Sequence, residues 1–391
     1  MCYIAAMYFD YNRTAPALCL AAAEAAQRAL AAPLAERAAH AAALRRLIAS
    51  ECGFEPHEYE IFFTGSAAEG AARLLTACAR SFTRKTGRLP HVVSGAAEAP
   101  DTLRCIGRLV KDKLCQHTAL RADDLGVVDA ADLPTALRPN TCLVSCAAAH
   151  CDTGALNNLR ALAAAAHKMG VPFHTDAAQL FGRSALRPAA LGVDAFSASF
   201  HRAGGLTGLG VLVVRRSLVD GYGLCLTHDD ANWLGLAAAA AALRDALAGR
   251  PAKMAHAAAL RDRLRAGLAA RRLACFPIGD APTSPPSIDG GITPPPAGRP
   301  AGAAAAAALR GRRPVIFWVA PADPRLALPN TTLMDIRNTR MGAEKIREAL
   351  SDVGVTVAAV AGRVRVSFGD ATTAAEVDAL VAALCAVLSS A

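Results

Sequence analysis

Residues 157–176 read NNLRALAAAAHKMGVPFHTD, a helix-period run stopped by Gly170 and followed at once by a short strand-like segment, Val171 to Asp176. The same alternation recurs on both sides. Upstream lie strand candidates TCLVSCA (141–147), HVVSG (91–95) and EIFFTG (60–65), preceded by helical stretches at about 17–31 and 34–51, the second closed by Gly53. Downstream come AFSAS (195–199) and GVLVVR (210–215), then long helices at about 231–249 and 252–272 parted at Pro251. Alternation of this kind predicts an α/β fold, a mainly parallel sheet covered by helices.

Past Pro251 the composition changes. Residues 276–302 are loaded with Pro, Gly and Ser, including SPPS and TPPP, and read as a flexible insertion that builds no core. After it the pattern predicts strands PVIFWVA (314–320) and TTLMDIR (331–337), a helix at 342–352, strands near 355–360 and 363–368, and a last helix at 373–389. A chain of 391 residues has room for two cores. The expectation is a large domain over 1–250 and a small C-terminal α/β domain over 251–391, on which the first residues have the option of packing.

Hydrophobic residues make up 53% of the chain, a figure inflated by alanine, and the longest apolar run, around Trp233 to Leu243, is well short of the ~20 residues of a membrane span. No membrane association is expected. The opening MCYIAAMYFDYN reaches strand-like YFDY at Tyr8, leaving no room for a charged n-region and an apolar h-region, so neither secretion nor an organelle presequence is expected. Twelve cysteines without framework spacing suit a reducing compartment, and a cytoplasmic location is the expectation. The net charge of +9 comes almost wholly from scattered arginines with no aromatic-interleaved basic stripe, which argues against nucleic-acid binding.

Seven segments carry a family likeness: YFDYNRTAP (8–16), IFFTGSAAEG (61–70), VVSGAAEAP (92–100), LVSCAAAHCDTGA (143–155), FHTDAAQLFGR (173–183), FSASFHRAGGLTGLGVLVVR (196–215) and VRVSFGDATTAAEVDAL (364–380). In order and separation they resemble the cysteine desulfurases, the NifS-like branch of the class V aminotransferases. The resemblance implies a pyridoxal-phosphate transferase of fold type I, with a seven-stranded large domain, a small C-terminal domain and a homodimeric state. It also implies roles for single residues. Asp176 resembles the partner of the cofactor's pyridinium nitrogen, which keeps the ring an electron sink. Gln179 and Cys151 stand at positions that contact the ring hydroxyl, the latter where the family has asparagine. Ser199 and His201 resemble phosphate ligands, as do Ser66, Ala67 and Ala68 on the strand-to-helix turn of TGSAAEG, where free N–H groups and the helix dipole favour an anion. Thr227 resembles a threonine donated to the neighbouring subunit's phosphate. Arg365 resembles the guanidinium that clamps a substrate carboxylate. Ordinary roles are open to each as well: Asp176 as a helix cap, Ser199 and Thr227 as turn hydroxyls, His201 as a core histidine and Arg365 as a surface strand residue.

The family's chemistry is missing at several positions. The lysine expected after His201 is Arg202, and a guanidinium with a pKa above ~12 stays protonated and forms no Schiff base. Ala99 stands where the family stacks a histidine on the ring, and Ala68 replaces a phosphate-binding threonine. Between Val214 and Thr227 the glycine-rich stretch with a substrate-side arginine is absent, and VTVAAVAGR (355–363) leaves no room for the mobile loop that carries the sulfur-accepting cysteine.

Cys142, Cys146, His150 and Cys151 have the density of a zinc site, but strand alternation is expected to send Cys142 and Cys146 to one face about 13 Å apart, so no metal is expected. The reading is a desulfurase homologue without desulfurase activity, holding pyridoxal 5′-phosphate or a phosphate ligand non-covalently, or no cofactor, and a homodimer with scope for a protein partner. Two alternatives stand beside it: an active pyridoxal-phosphate enzyme using another lysine, with Lys168 nearest in sequence, and a purely structural interaction partner.

Overall fold

The computed structural model describes residues 7–13, 18–224, 226, 232–271, 273–278 and 314–389. Its strands in chain order are β1 (Met7–Tyr8), β2 (Tyr59–Thr64), β3 (His91–Gly95), β4 (Gln116–Leu120), β5 (Thr141–Ser145), β6 (Phe173–Asp176), β7 (Ala195–Ser199), β8 (Gly210–Arg215), β9 (Ala274–Ile278), β10 (Val315–Val319), β11 (Thr331–Arg337), β12 (Val355–Thr356), β13 (Ala358–Val360) and β14 (Arg363–Ser367). Strands β2 to β8 form a seven-stranded sheet in the order β2-β8-β7-β6-β5-β3-β4, in which β8 alone runs against its neighbours. The fold is the mainly parallel α/β arrangement that the alternation predicts.

Helices cover both faces. One face packs Leu74, Leu75 and Cys78 of helix Ala67–Thr86 and Ile106 and Leu109 of helix Pro100–Lys111 against Phe62, Leu143 and Leu212. The other packs Leu44 and Ile48 of helix Leu34–Cys52, Leu162 of helix Leu159–His167, and Leu236 and Leu243 of helix Trp233–Ala248 against Phe63, Val144 and Phe196. The alanine run of helix Trp233–Ala248 is buried from Leu236 to Ala240, as a helix apolar on all sides must be.

A second sheet, in the order β13-β14-β11-β10-β9, packs on helices Arg250–Ala270, Ala343–Asp352 and Ala374–Ser389 through Ile316, Met334, Val364, Leu264, Ile346 and Leu380. Phe276 to Ile278, expected at the edge of the insertion, belong to β9, which pairs in parallel with β10; residues 279–302 lie outside the described part. Strand β1 pairs with β12, Met7 opposite Val355, and Phe9 enters the core of this second sheet.

Between β13 and β14 the chain turns on Ala361 (φ 49°) and Gly362 (φ 77°), the left-handed pair of a type I′ hairpin. A two-residue turn is therefore all that stands at the place where a long mobile loop is missing from the sequence.

The two cysteines of TCLVSCA do not share a face. A register shift opposite His91 and Val92 makes Cys142 a bulged residue, so Cys142 sits with Leu143 in one core layer and Cys146 with Val144 in the other. The expectation of one face assumed an unbroken two-residue period.

Candidate functional site

Because β2, β3, β5, β6 and β7 are parallel, their C-terminal ends share one edge of the large sheet, the edge where open α/β sheets bind ligands. Asp176 ends β6. It is buried, its Oδ1 accepts the Ala178 N–H at 2.8 Å, and burial pushes its carboxyl up despite that bond and the charge of Arg202. Gln179, also buried, accepts from Arg183 Nη1 at 3.4 Å.

Ser199 ends β7 and its Oγ accepts the Ala67 N–H at 2.7 Å, which ties that strand to the first turn of helix Ala67–Thr86. Ser66 caps the helix by accepting the Glu69 N–H at 3.1 Å, and Glu69 reaches back to accept the Gly65 N–H at 2.7 Å. The start of β8 passes so close that a Cβ on Gly210 would collide with the Ser66 backbone. Ser66, Ala67, Ala68 and Ser199 are thus brought together, but an anion at this helix end shares it with the Glu69 carboxylate. His201 lies in the turn Phe200–Ala203, with its imidazole pushed down to about 4 by burial, Arg202 and Arg183, so it is neutral at pH 7. Thr227 lies outside the described residues.

Arg202, in the same turn, donates from Nη1 to the Asn12 carbonyl; burial lowers its hold on its proton, while Asp176 and Cys151 oppose that effect. Asn12 is a junction: its Nδ2 donates to the Cys151 carbonyl at 2.7 Å, its N–H to Ser367 Oγ at 2.9 Å, and its Oδ1 accepts from Asn330 at 2.8 Å. Burial, with Asp152 beside it, pushes the Cys151 thiol up to about 12. Such a thiol is protonated and is neither a nucleophile nor a good metal ligand at neutral pH.

Arg365 is not the surface residue of the ordinary reading; it is buried on β14. Its Nη2 stands 2.5 Å from Asp10 Oδ1 and its Nη1 donates to Asp152 Oδ1, so the fork that would clamp a ligand carboxylate already holds two of the chain's own. The donor atoms of His150, Cys151 and Asp152 lie within 4.8 Å of one another, but Asp152 is spent on Arg365 and His150 bonds Thr153 at 3.2 Å.

Residue-by-residue reading of the sequence missed Glu98, one position before Ala99. Its side chain is buried, Oε1 accepts the Ala147 N–H, and Oε2 has no partner; burial and the nearby Asp176 push its carboxyl well up. Two neighbouring buried carboxyls raised in this way are short of a cation, and the protonated ring nitrogen of pyridoxal phosphate would supply one. The residues present therefore fit the ring of that group. Lys253 was missed too: of the six lysines it is the one that lines the same cavity as Arg202. Lys168, by contrast, follows helix Leu159–His167 on the exposed surface.

Comparison with protein families matches residues 22–222, just over half of the chain, to Aminotransferase class-V. The chain belongs to that family. Among curated relatives, this class-V aminotransferase homologue is 33% identical over 157 residues to the mitochondrial cysteine desulfurase of Saccharomyces cerevisiae, covering 40% of this chain and 31% of the relative. It is 27% identical over 171 residues to the NifS-like protein of African swine fever virus, covering 44% and 43%. The match thus spans less than half the length of these relatives. Among solved structures, a NifS-like protein superposes with a TM-score of 0.77 over 99% of this chain and 100% of its own, at 21% identity. A cysteine desulfurase from Thermococcus onnurineus gives 0.74 over 99% and 95%, at 18% identity. The class-V homologue therefore has the fold of the cysteine desulfurases. No helix among the described residues is long and apolar enough to cross a membrane.

Proposed function

We propose that this NifS-like homologue is silent as a cysteine desulfurase and keeps a pocket that binds pyridoxal 5′-phosphate, or a related phosphate ligand, without a covalent link. The observation that carries this reading is Arg202, a guanidinium at the lysine position whose side chain is turned to the Asn12 carbonyl. It offers no deprotonated amine. Lys253 does not replace it, because bridges to Asp245 at 2.6 Å and Asp370 at 2.9 Å hold it protonated.

In this reading Asp176 and Glu98 face the ring nitrogen, and the Ser66–Ala68 turn with Ser199 and neutral His201 receives the phosphate. The bound group would supply an electron sink. The chain's own residues give it little to act with: Ala99 neither stacks nor moves a proton, the Arg365 fork is spent on Asp10 and Asp152, and the Ala361–Gly362 turn presents no thiol. The proposed organisation is a large domain over 1–250 and a small one over 251–391, in a cytoplasmic homodimer.

Absorbance spectra of the protein with pyridoxal phosphate, taken before and after borohydride, test the proposal. A spectral change on binding with no borohydride-fixed adduct is expected. A fixed adduct would identify a reactive lysine and support the active-enzyme alternative.

A further inference from the structure

A cavity of about 180 Å³ lies against Arg202; Arg183, Arg202, Arg250, Lys253 and Asp370 supply its charged lining, and Tyr11, Met254 and Phe368 are among its less polar walls. Asp176, Gln179, Ser199 and His201 do not line it. We infer that this cavity is a separate binding site for a small organic anion, an apolar body headed by a phosphate or carboxylate group.

The charges around it are not balanced. Lys253 is spent on Asp245 and Asp370, and Arg250, also in the lining, is paired with Glu51. Arg183 and Arg202 have no carboxylate at ion-pair distance among the described residues. Arg183 makes only two long bonds, both from Nη1, to the Gln179 carbonyl and amide oxygens at 3.4 Å, although a guanidinium has five N–H donors. Arg202 makes one, to Asn12. Burial and the charge of Arg202 push Arg183 down to about 10, with Asp370 only partly offsetting them. The carboxylate that acts most on Arg202 is Asp176, which does not line the cavity, and Arg365 adds a further cation already matched by Asp10 and Asp152. Two cations left like this are costly unless an anion joins them, and their planar forks suit the oxygens of a phosphate or carboxylate. The walls of Tyr11, Met254 and Phe368 suit an apolar body behind that head.

Calorimetric titration with phenyl phosphate and with benzoate, on the full chain, tests this site. At least one should bind, the tighter of the two naming the head group. Its affinity should fall at least about tenfold in Arg183→Gln and by less in Arg183→Lys, which keeps the charge and guards against a folding artefact. Binding of neither probe to the wild type at millimolar concentration, or equal affinity in Arg183→Gln, overturns the inference. Met254→Asp, which puts a carboxylate on the apolar wall and touches none of the groups assigned to pyridoxal phosphate, should weaken binding of the probe and keep the absorbance response to pyridoxal phosphate, so the two sites fail independently.

Discussion

Arg365 Nη2 stands 2.5 Å from Asp10 Oδ1, both side chains buried and 355 positions apart in the chain. With Asp152 on its other amine, the guanidinium is held by two carboxylates, an arrangement that locks it as structure.

Removing one of these partners leaves buried charge unbalanced. Asp10→Ala should destabilise the protein by about 3 kcal/mol, in the range for breaking a buried pair. Urea denaturation at pH 7 measures it. A loss below about 0.5 kcal/mol would mean that the pair behaves as a surface bridge.

Arg202→Lys returns a primary amine to the edge where Asp176, Gln179, Ser199 and His201 converge. Pyridoxal phosphate should then give a band reducible by borohydride in the variant only, while desulfuration of cysteine stays absent. A wild type that already gives the fixed adduct, or a variant that releases sulfide from cysteine, contradicts the reading of the pocket.

Glu98 and Asp176 set a pH dependence. Both carboxyls are raised by burial, so the folded state favours their protonated forms; stability is full below the ordinary carboxylate range and falls as pH rises above it. Glu98→Gln removes one such group. Relative to wild type, the variant should gain stability between pH 5 and 8, at up to about 1.4 kcal/mol per pH unit. A difference between the two proteins that stays flat across this range would show that Glu98 ionises normally.

Ala361 carries a left-handed φ of 49° without the glycine that such a position favours. Ala361→Asn creates Asn-Gly, the preferred type I′ pair, and should stabilise by about 0.5–1 kcal/mol. The thermal midpoint reports it, and no rise would place the turn outside that class.

Much of the large sheet could be read along the chain, because buried strands such as Ala195–Ser199 and Gly210–Arg215 are short apolar runs bounded by turn residues. Strand Gln116–Leu120 escaped: it is an edge strand whose pattern, QHTAL, is polar and half exposed. Among site residues, Asp176, Ser199 and Arg202 were found because they lie in segments that keep the family order. Asp10, Asn12 and Asp152 lie in such segments too, but their roles come from partners up to 355 positions distant, which no local pattern encodes. The bare oxygen of Glu98 and the unbalanced Arg183 are properties of burial and neighbourhood, visible only in three dimensions.

The pairing of Met7 and Tyr8 with Val355 and Thr356 has a consequence for biosynthesis. Residues 7–12 leave the ribosome up to 355 positions ahead of their partners on β12 and β14, and loop closure over such a separation is slow. Until then Phe9, which ends fully buried, stays uncovered on the nascent chain, and Asp10 and Asn12 wait in water. The Arg365 cluster therefore closes only after the large sheet has been made, and a stalled or shortened translation product would carry a finished sheet with an open, adhesive end.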